Sequence, residues 1–550
     1  MKRFLSGLLA AVLLLTCLPA IPLVARAYTE GIYTYTTVSS GVKITAVQDG
    51  LTYHLTVPET LGGKKVTEIG DSAFRYCDFR AVTLPNTVRT IGDEAFVGCT
   101  NMKSITLPTS LTTLGESAFE DCTGLTSVTI PEGITRLEYT TFRRCSALKS
   151  ATVPKSVTYM ASNVFSGCNA LESLTIPFVG IGRSAGSSSQ TQFLGYLFGS
   201  LTYGGSCTYQ DYVNADSGVE YFYCVPTSLK SITITDTNYI PDCAFVNCTA
   251  LDEIIVCDKV KEVGYHAVYN TGFYNNHPDG VVYLGKVACG YKGTVENPVE
   301  IKEGTVAIGE YAFYQNTELK QITLPNSVKT IGEYAFRGCT GLESCDLGGG
   351  LREIRSCAFY ECKKLPSIQF PDTLTTIGAH AFYNCTSLEE VVIPMSDTTM
   401  ENWAFALSGV KSVVLSPNVY SIAAYAFYSC SRLEQVYVPQ YVYTYGYDCF
   451  SKCPALSKVY YVGTRLDRVD HMTSVSGNID FFNASWHYGA CSGAHRYSSD
   501  CDPTCNSCGW ERRVSQAHTY TNACDNYCDD CYDYRATQHV YTDDCDTECN

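Results

Sequence analysis

The sequence predicts an α/β repeat solenoid with a curved parallel sheet, followed by a small cysteine-rich repeat tail. The first observation is a phenylalanine that recurs every 22 or 23 residues within two blocks of the chain. The second is a proline with the same spacing in the first block. A fixed period of this length indicates stacked turns, because one turn alone cannot bury its apolar face. The phenylalanines are Phe74, Phe96, Phe119, Phe142, Phe165, Phe313, Phe336, Phe359, Phe382, Phe405, Phe427 and Phe450, and the prolines are Pro85, Pro108, Pro131, Pro154 and Pro177.

The first 27 residues have the features of a secretory signal peptide. Lys2 and Arg3 precede the apolar run FLSGLLAAVLLLTCLPA, and small residues lie just before the expected cleavage after Ala27. The run is too short for a membrane span. Lipidation at Cys17 is the alternative. No later stretch is apolar and long enough to cross a bilayer, so we expect a secreted or cell-surface protein.

The next two segments are the N-terminal cap strands, expected over 28–50, and the solenoid, expected over 51–465. Within one turn, LTSVTIP (125–131) alternates apolar and polar residues, which is typical of a strand with one buried face. Pro131 ends this strand because proline cannot donate to a ladder. The following wall is expected to consist of tight turns or a short helix. The residues expected to point inward are Leu125, Val128, Ile130, Ile134, Leu137 and Phe142.

A cysteine three residues after the phenylalanine accompanies most turns. In two turns Asn316 and Ser408 replace it, and both are small polar residues that hydrogen-bond to backbone at turns. A disulfide member could not be replaced in this way without leaving its partner unpaired. We therefore expect buried, unpaired thiols, with disulfides between turns or metal binding as the alternatives. The cysteines are Cys77, Cys99, Cys122, Cys145, Cys168, Cys248, Cys339, Cys362, Cys385, Cys430 and Cys453.

These residues carry a resemblance to a known family. The unit L-x-x-[IV]-x-[IL]-P-x-x-[LV]-x-x-[IL]-G-x-x-A-F-x-x-C, as in LKQITLPNSVKTIGEYAFRGC (319–339), resembles the BspA-type leucine-rich repeat of bacterial surface proteins. LTVPETLGGKKVTEIGDSAF (55–74) and TGFYNNHPDGVVYLGKVACGYKG (271–293) also resemble segments of that family. The resemblance implies a leucine-rich repeat fold, surface display, and adhesion to host matrix proteins, other bacteria or other ligands. It implies no catalytic site.

Two segments interrupt the repeat. An insertion at about 178–228 is rich in glycine and serine in its first part, which indicates a surface loop. Cys207 and Cys224 within it either form a disulfide or remain thiols. A second irregular segment covers about 257–295.

The outward-facing strand position changes character along the array. It is threonine at Thr106, Thr129, Thr152 and Thr175, and it becomes apolar or aromatic at Val392, Val414, Tyr437 and Tyr460. Contiguous exposed apolar surface often marks an interaction site, and tyrosine is a favoured anchor there. The alternative is that valine and tyrosine simply suit strands. We treat these four residues as the candidate binding face.

A linker is expected over 466–490 and a cysteine-rich region over 491–550. Its repeat is H-x-Y-x-x-x-C-D-x-x-C-x-x-C, and one histidine with three thiols is a complete tetrahedral zinc set. Disulfides are the competing interpretation for an exported protein. Under the zinc interpretation, the structural sites are His495, Cys501, Cys505 and Cys508, then His518, Cys524, Cys528 and Cys531.

The sequence also excludes some functions. A net charge of −16 argues against nucleic-acid binding. The sequence contains neither a nucleophile elbow, nor a zinc-protease motif, nor a phosphate loop. We therefore expect a non-catalytic, adhesin-like surface protein that binds an extracellular protein or glycan, such as a host matrix protein or another bacterial surface. The alternatives are an accessory region of a larger secreted enzyme, with catalysis beyond residue 550, and a stalk that binds nothing.

Overall fold

The computed structural model describes residues 26–48, 53–183, 190–200, 206–213, 220–462 and 478–488. The signal peptide, apart from its last two residues, and the cysteine-rich repeats lie outside these ranges. The chain forms two compact units. Of the described residues, the first unit comprises those up to Thr237, together with Ala244–Ile255 and Val268–Asn275, and the second comprises Asn238–Cys243, Val256–Ala267 and those from Asn276 onward.

The predicted strand is confirmed in most of the described turns, although residues 365–370 form none, and it pairs in parallel with the strand of a neighbouring turn within one of four sheets. Ser127, Val128 and Thr129 are in register with Ser150, Ala151 and Thr152, for example. This long-strand row consists of His54–Thr56, Ala81–Thr83, Ser104–Thr106, Ser127–Thr129, Ser150–Thr152, Ser173–Ile176, Ser231–Ile234, Glu253–Val256, Val299–Glu300, Gln321–Thr323, Ser344–Asp346, Glu390–Val392, Ser412–Val414, Gln435–Val438, Lys458–Tyr461 and Ser485–Tyr488.

Most of the described turns also have a second, shorter strand that the sequence did not predict. It follows the proline turn, and it too pairs in parallel, as Thr330 and Ile331 do with Glu353 and Ile354. This short-strand row consists of Lys64–Ile69, Thr90–Ile91, Thr113–Leu114, Arg136–Leu137, Tyr159–Met160, Tyr239–Ile240, Glu262–Val263, Ala307–Ile308, Thr330–Ile331, Glu353–Ile354, Thr376–Ile377, Thr399–Met400, Ser421–Ile422 and Thr444–Tyr445.

The remaining wall, which carries the Ala-Phe pair, is built from tight turns. The residue before the pair is left-handed in successive turns, with φ of 52° at Ser117 and 54° at Thr140. Its backbone N–H groups bond to the next turn, as Phe119 does to the carbonyl of Thr141 at 2.9 Å, instead of along a helix. Of the two expected forms of this wall, the tight turns are confirmed. Helix is limited in the described residues to Gly272–Asn275 and Ile479–Asn483, with 3₁₀ turns at Gln190–Gln192 and Leu194–Leu197.

Antiparallel strands occur at the N-terminus and in the two interruptions. Ala27–Glu30, Tyr33–Val38 and Gly41–Val47 pair in sequence, and Thr60–Leu61 pairs with Lys64–Ile69. Within the insertion, Cys207–Val213 and Glu220–Pro226 form a hairpin closed by a disulfide between Cys207 and Cys224. Gly280–Leu284 and Val287–Lys292 form a hairpin in the second interruption.

The core is a ladder of stacked phenylalanine rings. In the second unit, from Phe313 to Phe450, successive centroids are 5.0–5.3 Å apart. The six residues expected to point inward in the turn from Leu125 to Phe142 are all buried, which confirms that prediction.

The expected buried thiols are also confirmed for most turns. Cys122, Cys145 and Cys362, for example, are fully buried and free. Nine of the eleven thiols donate a hydrogen bond to the phenylalanine carbonyl of the preceding turn, as Cys122 does to Phe96 at 3.1 Å. Cys77 differs because it is only half-buried. Burial raises the pKa of the Cys122, Cys145 and Cys362 thiols, so these three stay protonated and serve as packing groups.

The helix Ile479–Asn483 covers the last turn of the second unit. Phe481 extends the ring ladder with its centroid 4.6 Å from Phe450. Asn478 Oδ1 accepts from the Phe450 N–H at 2.7 Å, where earlier turns use a backbone carbonyl. Ser485–Tyr488 then adds a strand beside Lys458–Tyr461. The described part of the segment assigned to a linker is therefore packed against the last turn of the repeat array, because Phe481 continues its core.

Candidate interaction surfaces

The structure places the four residues of the candidate binding face in one row. Val392, Val414, Tyr437 and Tyr460 are in register on four adjacent strands, and His487 continues the row. Val392 is 48 % exposed and Val414 is half-buried. The alternation of the strands therefore gave the correct register for the row.

The expectation that the whole row is exposed was wrong for its two tyrosines. Tyr437 is 2 % exposed and Tyr460 is 1 % exposed. Large rings in register on neighbouring strands lie close enough to cover one another. The ring of Tyr460 is also stacked on His487, with centroids 4.9 Å apart. Strand alternation identifies which face a residue occupies, but it does not show what packs over that face.

A second group of tyrosines is exposed in the same turns, beside the short-strand row. We call Tyr420, Tyr441 and Tyr443 the tyrosine cluster; their exposed fractions are 52 %, 50 % and 50 %. The rings of Tyr420 and Tyr443 are parallel within 4° at 6.4 Å, and Tyr441 lies 6.3 Å from Tyr443. The N–H of Tyr443 donates to the carbonyl of Tyr420 at 2.9 Å, which fixes the two side chains on adjacent turns.

The fold does not require aromatic residues at these positions. In the first unit, the same backbone hydrogen bond joins Thr112 to Arg89 and Thr158 to Thr135. Polar side chains therefore serve equally well just before the short strand. The tyrosines are an addition to the repeat, and half-exposed tyrosines are the side chains most often used as contact anchors.

A third surface runs along the turn wall of the second unit. We call it the aromatic stripe: two rows formed by the residue before each Ala-Phe pair and the residue after it. The first row is Tyr311, Tyr334, Cys357, His380, Trp403 and Tyr425, and the second row is Tyr314, Arg337, Tyr360, Tyr383, Ala406 and Tyr428.

Rings in the stripe stack on one another from turn to turn. Tyr311 and Tyr334 are 4.7 Å apart, Trp403 and Tyr425 are 4.1 Å apart, and Tyr360 and Tyr383 are 4.7 Å apart. The guanidinium of Arg337 lies over the rings of Tyr334 and Tyr360, at 5.3 and 4.7 Å. Because ring faces meet ring faces, the stripe presents ring edges and hydroxyl groups outward.

The same wall of the first unit has a different composition. Its matched positions hold Ser72, Glu94, Ser117, Thr140 and Asn163 before the pair. Residues there form ion pairs, such as Arg75 with Glu94 at 2.9 Å and Arg143 with Glu120 at 3.1 Å. The turn wall can therefore be polar, and its aromatic character in the second unit is not a requirement of the fold.

The aromatic side chains of the first row also occupy strained backbone. Tyr334, His380, Trp403 and Tyr425 have φ of 56°, 55°, 64° and 59°. Bulky residues rarely adopt this left-handed conformation, which costs on the order of 1–2 kcal/mol per residue. The same conformation occurs at the matched positions Ser117 and Thr140 of the first unit, so it is a property of the repeat and not of the aromatic side chains. This stripe was not predicted from the sequence, although comparison of the residues on either side of each Ala-Phe pair reveals it.

The remaining predicted site residues lie outside the described part of the chain. These are the proposed zinc ligands His495, Cys501, Cys505, Cys508, His518, Cys524, Cys528 and Cys531. Within the described ranges, no group of three or more histidine, cysteine or acidic side chains is arranged to hold a metal ion. No helix in those ranges has the length and apolar content needed to cross a membrane.

Several known proteins are similar to this chain. A leucine rich cell surface protein from Faecalibacterium prausnitzii A2-165 is 23 % identical, covers 82 % of this chain and 98 % of its own, and has a TM-score of 0.29. A leucine-rich repeat protein from T. pallidum is 32 % identical over 34 % of this chain and 83 % of its own, with a TM-score of 0.26. The pneumococcal vaccine antigen PcpA is 16 % identical, covers 83 % of this chain and 98 % of its own, and has a TM-score of 0.28. A comparison with curated proteins finds no match.

The family assignment rests on the repeat itself. Residues 67–190, 218–277, 282–406 and 352–467 match the BspA type leucine rich repeat region, in six copies, and these ranges cover more than half of the sequence. The parallel strands, the phenylalanine ladder and the buried cysteine of most turns account for that pattern. The chain therefore belongs to the family of BspA-type leucine-rich repeat proteins.

Proposed function

We propose that this protein is a secreted or cell-surface, adhesin-like scaffold that binds an extracellular protein or glycan without catalysis. The family supports a binding scaffold, and the signal-peptide features of residues 1–27 support export. The observation that carries the proposal is the tyrosine cluster. It places three half-exposed rings within 6.3–6.4 Å of their neighbours, and the first unit has threonine or arginine at the positions matched to Tyr420 and Tyr443.

The tyrosine cluster has the properties of a contact surface. Each ring contributes a large apolar area and a hydroxyl group, and tyrosine loses little conformational entropy when it becomes ordered. Val392 and Met395, which are 48 % and 59 % exposed, extend the apolar surface of these final turns. We retain Val392 and Val414 as proposed contacts. Tyr437 and Tyr460 are proposed as supports that hold this region in place.

The test is direct binding to matrix proteins, mucins and cell-wall glycans immobilised on a sensor surface. The full chain is compared with a Tyr420→Thr/Tyr443→Thr variant, because threonine occupies the same position at Thr112 and Thr158. Loss of hot-spot anchors typically weakens binding by about tenfold or more. Tyr139→Thr serves as the control, since Tyr139 is an exposed tyrosine of the first unit.

Each outcome decides a part of the proposal. Binding that the double variant loses and the control keeps supports the tyrosine cluster as the site. Equal binding by all three proteins would remove the cluster from the proposal. Absence of binding to every member of the panel would contradict the adhesin-like function and favour a stalk.

The cysteine-rich repeats contribute a separate proposal, that two structural zinc ions are held by His495, Cys501, Cys505 and Cys508, and by His518, Cys524, Cys528 and Cys531. Elemental analysis of the purified full chain would measure the zinc content directly. A metal-free protein whose tail cysteines are all disulfide-bonded would contradict this proposal.

A further inference from the structure

We propose that the aromatic stripe is a self-complementary surface through which two copies of this chain associate. The copies would lie antiparallel about a two-fold axis at the turn of His380. In that arrangement Trp403 of each copy lies over Cys357 of the other. This association is independent of the tyrosine cluster and of the ligand proposed above.

The period of the stripe favours a second copy of this chain as the partner. Backbone pairing places one residue of each row in every turn, because successive turns are hydrogen-bonded in register. Adjacent turns are therefore separated by about 4.8 Å, the spacing of strands in a sheet. A partner can match the rows along their whole length only if it has the same period. A second copy of the stripe has that period by construction.

The orientation of the rings also favours a second copy as the partner. The faces of Trp403 and Tyr425 are stacked at 4.1 Å with planes 11° apart, so no planar ligand has room between them. What the stripe offers is a row of edges and hydroxyl groups. Aromatic pairs favour edge-to-face and offset arrangements over direct sandwiches, so two such rows can interdigitate.

The first row of the stripe is also complementary to itself. Cys357 is the position where the row lacks a ring, and Trp403 is the position where it has the largest one. The two positions are equally distant from His380, one turn on either side. In a two-fold interface, if residue i contacts residue j, then j contacts i. A two-fold axis at His380 therefore places Trp403 of each copy against Cys357 of the other. The interface contains this contact twice.

The distribution of charge also favours this face for self-association. The chain has a net charge of −16, so two copies repel each other over most of their surface. In the two rows from Tyr311 to Tyr428, all of which are described, Arg337 is the one side chain charged at neutral pH. Burial lowers the pKa of His380, which keeps its ring neutral. The aromatic stripe is therefore a face on which two acidic chains can meet without burying like charges.

The size of the stripe sets the expected strength. Its rows span five turn-to-turn steps, about 24 Å at the strand spacing. A surface of that length and two residues wide is smaller than the roughly 800 Å² per partner of a standard interface. We therefore expect reversible association that depends on protein concentration.

Sedimentation velocity of the full chain over a concentration series tests the association. It is carried out in reducing buffer, so that cysteines of the tail do not link copies covalently. We expect a monomer–dimer equilibrium for the natural sequence. A Tyr334→Ser/Trp403→Asn variant, which introduces the residues found at Ser117 and Asn163, should weaken it by about tenfold or more. The Tyr420→Thr/Tyr443→Thr variant should dimerise normally. A chain that remains monomeric at all concentrations would overturn the proposal.

Cross-linking tests the register. Trp403→Cys is treated with a short bis-maleimide in a mixture of ¹⁵N-labelled and unlabelled protein, and mixed-isotope peptides identify links between copies. We expect mixed 357–403 links. Tyr311→Cys is the matched control, because Tyr311 and Trp403 are both two turns from Cys357 but only Trp403 faces it across the dyad. Equal mixed links from both variants, or none from Trp403→Cys, would overturn the antiparallel arrangement.

Discussion

The thiol of Cys362 donates a hydrogen bond to the carbonyl of Phe336, which belongs to the preceding turn, at 3.2 Å. The same bond recurs between Cys385 and Phe359 at 3.1 Å. The phenylalanine ring fills the core, and the cysteine thiol of the next turn satisfies the phenylalanine carbonyl. The two residues that define the repeat therefore link successive turns. This relationship explains why a single thiol per turn is useful in a chain with export features.

Reactivity of the thiols is the first prediction. Cys362 is fully buried and its pKa is raised well above the usual value by burial, so its thiolate is scarce in the native state. Cys357 is only half-buried. We expect iodoacetamide to label Cys357 at least roughly tenfold faster than Cys362 in native protein, and both equally in guanidinium. Peptide-resolved mass spectrometry measures the rates. Rapid native labelling of Cys362 would show that the turn opens.

The second prediction separates the aromatic stripe from the core. Trp403→Asn removes three ring contacts, to His380, Tyr425 and Tyr428, each contributing about 0.5–1.5 kcal/mol, but it also relieves a left-handed tryptophan. We expect a loss of about 1–2 kcal/mol in the free energy of unfolding. Phe405→Ala empties a fully buried site nearby and should cost about 3–5 kcal/mol. Denaturant titration compares them, and similar losses would mean that Trp403 is a core residue.

The repeat pattern predicted much of this fold, because its period and polarity reflect local packing. Val128 and Ile134 are buried where the alternation placed them. The pattern could not predict the short strands, since two residues such as Thr330 and Ile331 pair only because the next turn is stacked beside them.

The candidate surfaces were harder to predict for the same reason. Strand alternation put Tyr460 on the outer face, but its burial depends on neighbours such as His487, contributed by a segment beyond the repeat. The aromatic stripe was visible in the sequence only when Tyr334 and Trp403 were compared with the matched residues Ser117 and Asn163 of the first unit. Exposure depends on contacts between segments, and a single turn does not contain that information.

The third prediction concerns the hairpin of the insertion. The disulfide between Cys207 and Cys224 closes it, and buried Gln210 anchors it by donating to the carbonyls of Ala244 and Val246 at 3.2 and 3.0 Å. Cys207→Ser/Cys224→Ser should lower the free energy of local opening by about 2–4 kcal/mol. Hydrogen exchange measured by mass spectrometry should increase in Cys207–Val213 and Glu220–Pro226. Turns of the second unit serve as the internal control, and faster exchange there would contradict a local effect.

The fourth prediction is a dependence of stability on pH that arises from Glu310. Its side chain is 19 % exposed, and the guanidinium of Arg355 lies 4.0 Å from its carboxylate oxygen. Burial, together with the negative charges of Asp242 and Glu333, raises the pKa of Glu310 to about 7, although Arg355 acts in the opposite direction. The folded state therefore binds this proton more tightly than the unfolded state does. Stability from this group is present at low pH and is lost as the pH rises through 7.

Glu310→Gln tests this dependence, because glutamine keeps the shape of the protonated carboxyl group and cannot ionise. We expect the variant to be more stable than the natural sequence at pH 8, on the order of 1–3 kcal/mol, and similar to it at pH 5. Urea titrations at a series of pH values measure the difference. Glu318→Gln is the control, since Glu318 is exposed and its charge is not among those that raise the pKa of Glu310. If Glu310→Gln and the natural sequence lose stability equally between pH 5 and pH 8, the charge of Glu310 is accommodated by Arg355, and the pH dependence has another origin.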